Sequence, residues 1–294
     1  MYNTGAYVHR LLDSVLSQDY PKIEMIVVDD GSTDGSKDVV EGYAGRFSAR
    51  GYRLRYVYQA NAGQSVAIRN GLPLVEGEYL AWPDSDDYYA SADAISKMVG
   101  ALESAGDEFQ LVRTQVRYVR DGTLRPLGVR GRYAHEEEDR SLFEDCLLGT
   151  NGFYYCAGSY LVRTAVLKEL TDFDIYTDKD AGQNWQLLLP VLYQYRCKTI
   201  MEPLFTVVER ASSHSRGQYS GEDRTVRKFD AYVNTRIETL RRIKGLPEEE
   251  LSRYEKQVRS VNGKGLLDLA IRDNERRLAL KRLPSCRADM GRLA

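Results

Sequence analysis

The chain has 294 residues, which is long enough for one large domain, or one and a half, with a sizeable hydrophobic core. Hydrophobic residues make up 43% and charged residues 29%, as in an ordinary soluble globular protein. The formal net charge of -2 gives no overall signal for binding nucleic acid. Because no apolar run approaches the roughly 18 residues of a membrane span, and no secretion signal opens the chain, we expect a cytoplasmic protein.

The four cysteines are widely spaced, and no Cys-x-x-Cys pair or histidine cluster accompanies them: Cys146, Cys156, Cys197 and Cys286. This spacing predicts neither a zinc site nor a disulfide framework. Reduced thiols fit a cytoplasmic location best.

The first third of the chain alternates between two hydrophobic periods. Apolar stripes predict helices over residues 6–18, 33–47, 64–75 and 92–104, and short runs rich in β-branched residues predict strands over 23–28, 54–58 and 78–82. Strands alternating with helices of this length are typical of βαβ units. We therefore predict an α/β fold with a mostly parallel central sheet flanked by helices.

The later part of the chain changes character. Residues 110–119 predict a longer strand, Asp121-Gly122 predicts a hairpin turn, and the chain is strongly helical from 224 to about 283. We therefore predict an α/β domain over residues 1–215 and a helical C-terminal extension over 216–294. Arginines and leucines at the end of the extension leave a lipid-binding face open, although packing on the α/β domain is the favoured interpretation.

Two acidic clusters follow predicted strands, where ligands of α/β sheets bind. Asp29, Asp30 and Asp34 form the first, and Asp84-Ser85-Asp86-Asp87 forms the second. Carboxylates repel one another, so several at strand ends indicate a compensating cation or hydrogen-bond donors. Mg2+ and Mn2+ bind a few carboxylates together with phosphate oxygens and water. A turn and a polar loop would explain either cluster alone, but the two together favour a metal and nucleotide site.

A family resemblance is carried by motifs that occur in order over residues 1 to about 105. They are Tyr2-Asn3, Ser14-Val15-Leu16-Ser17-Gln18, Ile23-Glu24-Met25-Ile26-Val27-Val28-Asp29-Asp30-Gly31-Ser32-Thr33-Asp34-Gly35-Ser36, Asn61-Ala62-Gly63, Ala67-Ile68-Arg69-Asn70-Gly71, Gly77-Glu78-Tyr79 and Asp84-Ser85-Asp86-Asp87. This ordered set resembles the family 2 glycosyltransferases, which are nucleotide-diphospho-sugar transferases with the A-type fold.

The resemblance implies a function and its partners. It implies that a sugar moves from a nucleotide-diphosphate donor, a UDP-sugar, to a glycan or lipid-linked sugar acceptor. It also implies inversion at the transferred sugar and dependence on Mn2+ or Mg2+. A role in cell-envelope polysaccharide synthesis would place the protein at the inner face of the membrane, with peripheral membrane contact left open.

The resemblance also implies residue roles. Five residues would serve the nucleotide: Tyr2, Asp30, Asn61, Arg69 and Asp84. Among them, Tyr2 would lie near the base, Asp30 would accept the ring N–H of uracil or thymine, and Asp84 would contact the ribose. A purely structural role is equally open for Asn61 and Arg69. Asp86 would hold the metal that bridges the diphosphate, and His214 would lie near the metal or the diphosphate.

The N-terminus departs from the family pattern. Members usually begin with a strand that runs into the Tyr-Asn pair, whereas here Met1 directly precedes Tyr2-Asn3. We therefore expect an N-terminally shortened domain that lacks the family's first strand. Such a sheet would expose apolar surface and an unpaired edge.

A second departure concerns the catalytic base. Family members often carry a Gly-Glu-Asp-Trp-like stretch where this chain has Gly182-Gln183-Asn184-Trp185, and an amide cannot take a proton as a carboxylate does. Asp180 is the candidate base, and Asn184 is a candidate for holding the acceptor. The alternative is a catalytically inactive relative that binds sugar nucleotide or glycan. A phospho-acceptor module is disfavoured, because such folds need a lysine where this chain has Asp84.

Overall fold

The computed structural model describes residues 1–131, 141–210 and 222–272. The N-terminal part is a parallel pair of strands, β1 (Glu24–Asp29) and β2 (Arg53–Tyr58). Four helices surround this pair: α1 (Val8–Leu16), α2 (Ser36–Gly42), α3 (Ala44–Ala49) and α4 (Gln64–Gly71). The single helix predicted over 33–47 is two helices, because Gly42 is a poor helix former and the chain turns at Tyr43.

The remaining strands form a six-stranded sheet. They are β3 (Tyr79–Leu80), β4 (Tyr88–Tyr89), β5 (Phe109–Arg120), β6 (Pro126–Arg130), β7 (Tyr160–Arg163) and β8 (Arg196–Glu209). The order is β3-β7-β5-β8-β4, and β6 pairs with the outer part of β5. The long strands β5 and β8 run parallel and form the centre of the sheet.

The α/β class is as predicted, but the strand directions are a correction. Only β1 with β2 and β5 with β8 are parallel, whereas the other four pairs in the described residues are antiparallel. The turn at Asp121-Gly122 joins β5 to β6 as the hairpin predicted, and a hairpin can only join antiparallel strands. The strand–helix alternation of the first third therefore does not extend through the whole sheet.

Among the described residues, six further helices flank the sheet: α5 (Ala94–Glu103), α6 (Phe143–Leu148), α7 (Thr164–Thr171), α8 (Asn184–Gln194), α9 (Glu222–Leu240) and α10 (Glu248–Arg272). The C-terminal helices share a core with the α/β part. Val233 of α9 and Tyr254 of α10 belong to the same buried cluster as Phe143 and Leu187. The helical extension is thus packed on the α/β part through apolar burial, which is the dominant stabilising term in folding.

The two sheets are separated by a cavity of about 1820 Å³. Residues of β1 and β3, among them Met25, Val27 and Leu80, line it. At the end of β1 the ammonium of Met1 donates to the Val28 carbonyl at 2.6 Å, and the Asp30 amide donates to the Met1 carbonyl at 2.8 Å. Within the described residues, Met1 is therefore the only backbone that pairs with the edge of β1 opposite β2.

Within 1–131, 141–210 and 222–272, no helix combines the length and apolar character needed to cross a bilayer. The basic residues at the end of the C-terminal extension lie outside the described residues.

Candidate functional site

The cavity brings together most of the residues predicted to form the site. Seven of them line it: Tyr2, Asp30, Asn61, Asp84, Asp86, Asp180 and Asn184. Arg69 lies on α4 and is not part of the cavity wall. His214 lies outside the described residues.

Asp30 is fixed by a dense set of hydrogen bonds. Its carboxylate accepts from Gln59 Nε2 at 2.7 Å and from the backbone amides of Ala62 at 2.8 Å and Gly63 at 2.9 Å. The Asn61 side chain donates to the Asp30 carbonyl at 2.9 Å. Since Asp30 is buried, these donors compensate for the loss of water around its charge. The carboxylate therefore ties the end of β1 to the loop that precedes α4.

Two glycines allow the loops to approach one another. Gly31 has φ +81°, and a Cβ there would lie 2.8 Å from the amide nitrogen of Asn61. Gly63 has φ +99°, and a Cβ there would lie 3.2 Å from the Cα of Lys179. Both backbones are in the region that favours glycine, so the close packing depends on the absence of a side chain.

The neighbouring Asp29 is structural. It is buried, and it accepts hydrogen bonds from the Ser32 amide at 2.8 Å and the Tyr56 hydroxyl at 2.6 Å. Burial and the bond to this carboxylate raise the pKa of Tyr56. Asp29 thus shapes the turn after β1 and leaves Asp30 as the carboxylate of this pair that lines the cavity.

The second acidic cluster lies opposite, between β3 and β4. Asp84 accepts from Gln64 Nε2 at 2.6 Å, and burial together with the charge of Asp86 raises the pKa of Asp84 to about 7. Asp87 is buried and accepts from the Val208 amide at 2.9 Å. Burial, with Asp86 and Asp84 nearby, raises the pKa of Asp87 well above its ordinary value. The cluster therefore holds more negative charge than its surroundings compensate.

Asp86 forms an ion pair with Arg210. The sheet creates this pair, because β4 follows the acidic cluster directly and pairs with β8, whose end precedes Arg210. The Arg210 guanidinium also lies over the Tyr7 ring, 4.3 Å from its centroid. Arg210 was not among the residues predicted from the sequence. Its position just after an apolar strand was the only signal in the sequence.

The other side of the cavity is formed by the segment before α8. The Ser65 hydroxyl donates to the Asp178 carbonyl at 2.9 Å and accepts from the Asp178 amide at 3.0 Å. The Asp180 amide donates to the Asp178 carboxylate at 2.8 Å. The Asp180 side chain is exposed at the cavity wall, and Asn184 begins α8. Ser65 at the start of α4 thus fixes the segment that leads to both predicted catalytic residues, Asp180 and Asn184.

Half-buried aromatic rings extend this side of the cavity. Trp185 meets Tyr155 at 5.3 Å and Tyr232 of α9 at 5.2 Å between ring centroids. The Arg236 guanidinium lies 5.0 Å from the Trp185 ring. All four side chains line the cavity, and we call them the aromatic wall. In the sequence, Trp185 stood out only as the last residue of the stretch 182–185, and the contribution of the C-terminal helix was not predicted.

Lys228 adds a cation beside the aromatic wall. It is buried, lines the cavity, and lies 5.4 Å from the Tyr232 ring. Burial lowers the pKa of Lys228, and the Asp180 carboxylate acts in the opposite direction. The α9 helix therefore supplies charge as well as ring surface next to Asp180.

Residues 1–171 match the family model for glycosyl transferase family 2. The chain belongs to glycosyl transferase family 2. The cavity described above is therefore that of a family 2 protein. Acidic residues from two strand ends line it together with the start of α8.

Curated family 2 relatives match over the N-terminal part. Glycosyltransferase GlyA from Streptococcus pneumoniae serotype 4 is 41% identical over 88 residues, which are 30% of this chain and 12% of GlyA. The uncharacterized glycosyltransferase EpsJ from Bacillus subtilis is 39% identical over 92 residues, covering 31% of this chain and 26% of EpsJ. Bacillus subtilis TuaG, whose name places it in teichuronic acid biosynthesis, is 32% identical over 150 residues, or 51% of this chain and 55% of TuaG. Each alignment spans less than two thirds of the relative.

Solved structures match over nearly the whole chain. TarS from S. aureus, crystallised with UDP-GlcNAc, has a TM-score of 0.62 at 21% identity and covers 96% of this chain and 77% of that one. The mannosyltransferase PcManGT from Pyrobaculum calidifontis, in complex with GDP-Man and Mn2+, has a TM-score of 0.58 at 15% identity and covers 98% and 73%. These similarities establish the A-type glycosyltransferase fold.

The donor set fits a divalent cation of the kind expected in this family. The described residues contain no group of three or more His, Cys, Asp or Glu side chains arranged around a metal position. Mg2+ and Mn2+ do not need one, because they take one or two carboxylates together with substrate phosphates and water. Burial and the charge of Asp86 raise the pKa of Asp84, and a cation beside both carboxylates would favour their ionised forms.

Proposed function

We propose that this protein transfers a sugar from a UDP-sugar to a hydroxyl of a glycan or lipid-linked sugar, with a divalent cation and with inversion at the anomeric carbon. One observation carries the proposal. A single cavity is lined by Asp30, Asp84 and Asp86 and also by Asp180 and Asn184. Carboxylates suited to nucleotide and metal therefore share one space with a candidate base. The binding of UDP-GlcNAc by TarS supports the choice of donor.

The nucleoside would bind near the end of β1. Asp30 already accepts three hydrogen bonds, and a carboxylate offers about four acceptor positions, so one remains for the ring N–H of uracil. Tyr2 is 39% exposed and can stack on the base. Asn61 orients the loop around Asp30, and Asp84 would accept from a ribose hydroxyl. Arg69 lies on α4 outside the cavity wall and would support the nucleotide site from there.

Asp86 would hold the cation together with oxygens of the donor diphosphate, and His214 remains a predicted neighbour of that site. A bound Mn2+ or Mg2+ would supply Lewis-acid stabilisation of the negative charge on the departing diphosphate. Asp84 and Asp87 add negative charge around that position, and Gln64 orients the Asp84 carboxylate at 2.6 Å.

The acceptor would bind on the side of α8. The acceptor oxygen forms a bond to the anomeric carbon as the bond from that carbon to the diphosphate breaks, and Asp180 takes the hydroxyl proton. The Asn184 amide nitrogen would donate to an acceptor hydroxyl. Trp185 and Tyr232 offer the ring surface on which sugars stack, so the aromatic wall would orient the acceptor.

A binding-only relative is the second candidate. The observation that favours it is Asn184, an amide at the place where family members often carry a carboxylate. Such a protein would bind sugar nucleotide and release no nucleotide product. Cytoplasmic location and contact with the inner face of the membrane belong to the enzymatic proposal, because glycolipid acceptors lie there.

Calorimetric titration of UDP with and without Mn2+ tests the donor site. We expect binding that needs Mn2+, is lost in Asp86→Ala, and is retained in Asp107→Asn, an exposed carboxylate outside the cavity wall. Folded wild-type protein that binds no nucleotide would overturn the proposal. Release of UDP from a panel of UDP-sugars and glycan acceptors then separates the two candidates, because the binding-only relative binds UDP and releases none.

A further inference from the structure

Arg210 is the cation that contacts the proposed metal-binding carboxylate. Its Nη2 donates to Asp86 Oδ2, and the two side chains are only 13% and 23% exposed. The guanidinium is held between this carboxylate and the face of the Tyr7 ring. The Nε of Arg210 is buried and has no hydrogen-bond partner within the described residues. The Nη2 donor of the guanidinium is thus paired with Asp86, and the Nε donor remains without a hydrogen-bond partner.

The ion pair and a divalent cation compete for Asp86. A metal on Asp86 would lie within a few ångströms of the guanidinium, where like charges repel because both groups are partly removed from water. The acidic cluster favours a cation in either state, since Asp84, Asp86 and Asp87 lie together. Arg210 supplies that cation in the metal-free protein, and a metal on Asp86 would weaken its pairing there.

A diphosphate is the partner that suits the released side chain. Guanidinium binds phosphate through two parallel N–H bonds, and the unsatisfied Nε provides the second donor. Arg210 lines the same cavity as Asp86, Asp30 and Asp180, so it can reach a donor bound there without leaving the site.

We propose that Arg210 alternates between two partners. It pairs with Asp86 in the metal-free protein, and it binds the diphosphate oxygens of the donor once a divalent cation has taken Asp86. This inference rests on the donor and metal sites proposed above. It adds a phosphate-binding residue to the site. It also explains why metal and nucleotide would bind cooperatively, because the contact of Arg210 with the diphosphate offsets the loss of its ion pair with Asp86.

The experiment measures two affinities in Arg210→Gln. Free Mn2+ is followed by its paramagnetic resonance signal in the absence of nucleotide, and UDP binding is followed by calorimetry at saturating Mn2+. Removing the competing guanidinium should tighten Mn2+ binding about three- to tenfold, as expected for loss of a partly exposed ion pair. Losing the phosphate contact should weaken UDP binding about tenfold or more.

Two further variants keep the result interpretable. Arg210→Lys keeps the charge without the fork, so Mn2+ affinity should stay near wild type while UDP affinity falls; it carries the test if Arg210→Gln does not fold. Arg10→Gln removes a comparably exposed ion pair with Asp121 and should change neither affinity.

The outcomes separate this inference from the proposed function. Wild-type protein that binds neither Mn2+ nor UDP would overturn both. Wild-type binding with either affinity unchanged in Arg210→Gln would overturn the exchange of partners and leave the donor site in place.

Discussion

The indole Nε1 of Trp82 donates a hydrogen bond to the amide oxygen of Asn184 at 3.0 Å, across 102 residues of sequence. Trp82 lies just before the acidic cluster, and Asn184 is the first residue of α8. Because an indole nitrogen only donates, the amide oxygen faces Trp82 and the amide nitrogen is left for a ligand. Asn184 is therefore oriented as a donor and also links the proposed donor and acceptor sides.

We predict that Asn184→Asp and Asn184→Leu differ in stability. Aspartate keeps an acceptor for the Trp82 indole, whereas leucine leaves the buried N–H without a partner, at a cost of about 1–3 kcal/mol. Urea denaturation followed by tryptophan fluorescence measures the difference in the free energy of unfolding. Equal stability of the two variants would show that the bond to Trp82 does not hold Asn184 in place.

We predict that Asp180→Asn separates catalysis from donor binding. If Asp180 takes the acceptor proton, turnover should fall by about two to four orders of magnitude, the usual contribution of a general base. UDP affinity in the presence of Mn2+ should stay the same, because Asp180 lies on the side of α8. Asp174→Asn, an exposed carboxylate of the same segment, is the matched control. If Asp180→Asn turned over substrate as fast as wild type, the base would be another residue.

The sequence predicted the N-terminal elements well and named acidic residues that line the cavity. Local periodicity determines α1, β1 and β2, and each was found within two residues of the predicted bounds. The strand-end rule pointed to Asp30 and Asp84, and both line one cavity although β1 and β3 belong to different sheets. Both predictions rest on signals contained in short stretches of chain.

The features that were not predicted depend on pairing between segments that are distant in the sequence. Arg210 meets Asp86 across 124 residues because β4 pairs with β8, and no local pattern encodes that register. Tyr232 and Lys228 reach the cavity because α9 packs on α8. The strand directions were mispredicted for the same reason, since β7 pairs antiparallel with both β3 and β5. Single-sequence periodicity identifies an element but not its partner.

We predict that the stability of the metal-free protein falls as pH rises from about 4 to 7. The pKa of Asp84 is about 7 in the folded protein and 3.8 ordinarily, so the folded state binds this proton more tightly than the unfolded state. Its contribution to stability is fully present below the ordinary value and is lost as pH rises through 7. Chemical denaturation at several pH values measures the slope.

Asp84→Asn should flatten that slope. The part that remains includes Asp87, whose pKa is raised in the same direction, and the Met1 ammonium, whose pKa is lowered by burial and acts with the opposite sign. Asp107→Asn, which changes an exposed carboxylate outside the cavity wall, should keep the wild-type slope. Because ionised Asp84 adds negative charge beside Asp86, Mn2+ affinity should rise over the same pH window. A pH profile of stability that is identical in Asp84→Asn and wild type would contradict the assignment to Asp84.

We predict opposite effects for two glycine-to-alanine changes. Gly63 has φ +99° and ψ 159°, a conformation essentially restricted to glycine, and an added Cβ would press on the Lys179 backbone at 3.2 Å. Gly63→Ala should therefore lose about 1–3 kcal/mol of stability, and it should also weaken UDP binding, because the Gly63 amide donates to Asp30. Gly100 lies inside α5 with open space around it, so Gly100→Ala should gain about 0.5–1 kcal/mol. Thermal melts with and without UDP and Mn2+ measure both effects. A Gly63→Ala protein as stable as wild type would mean that the loop before α4 and the segment before α8 do not need this close approach.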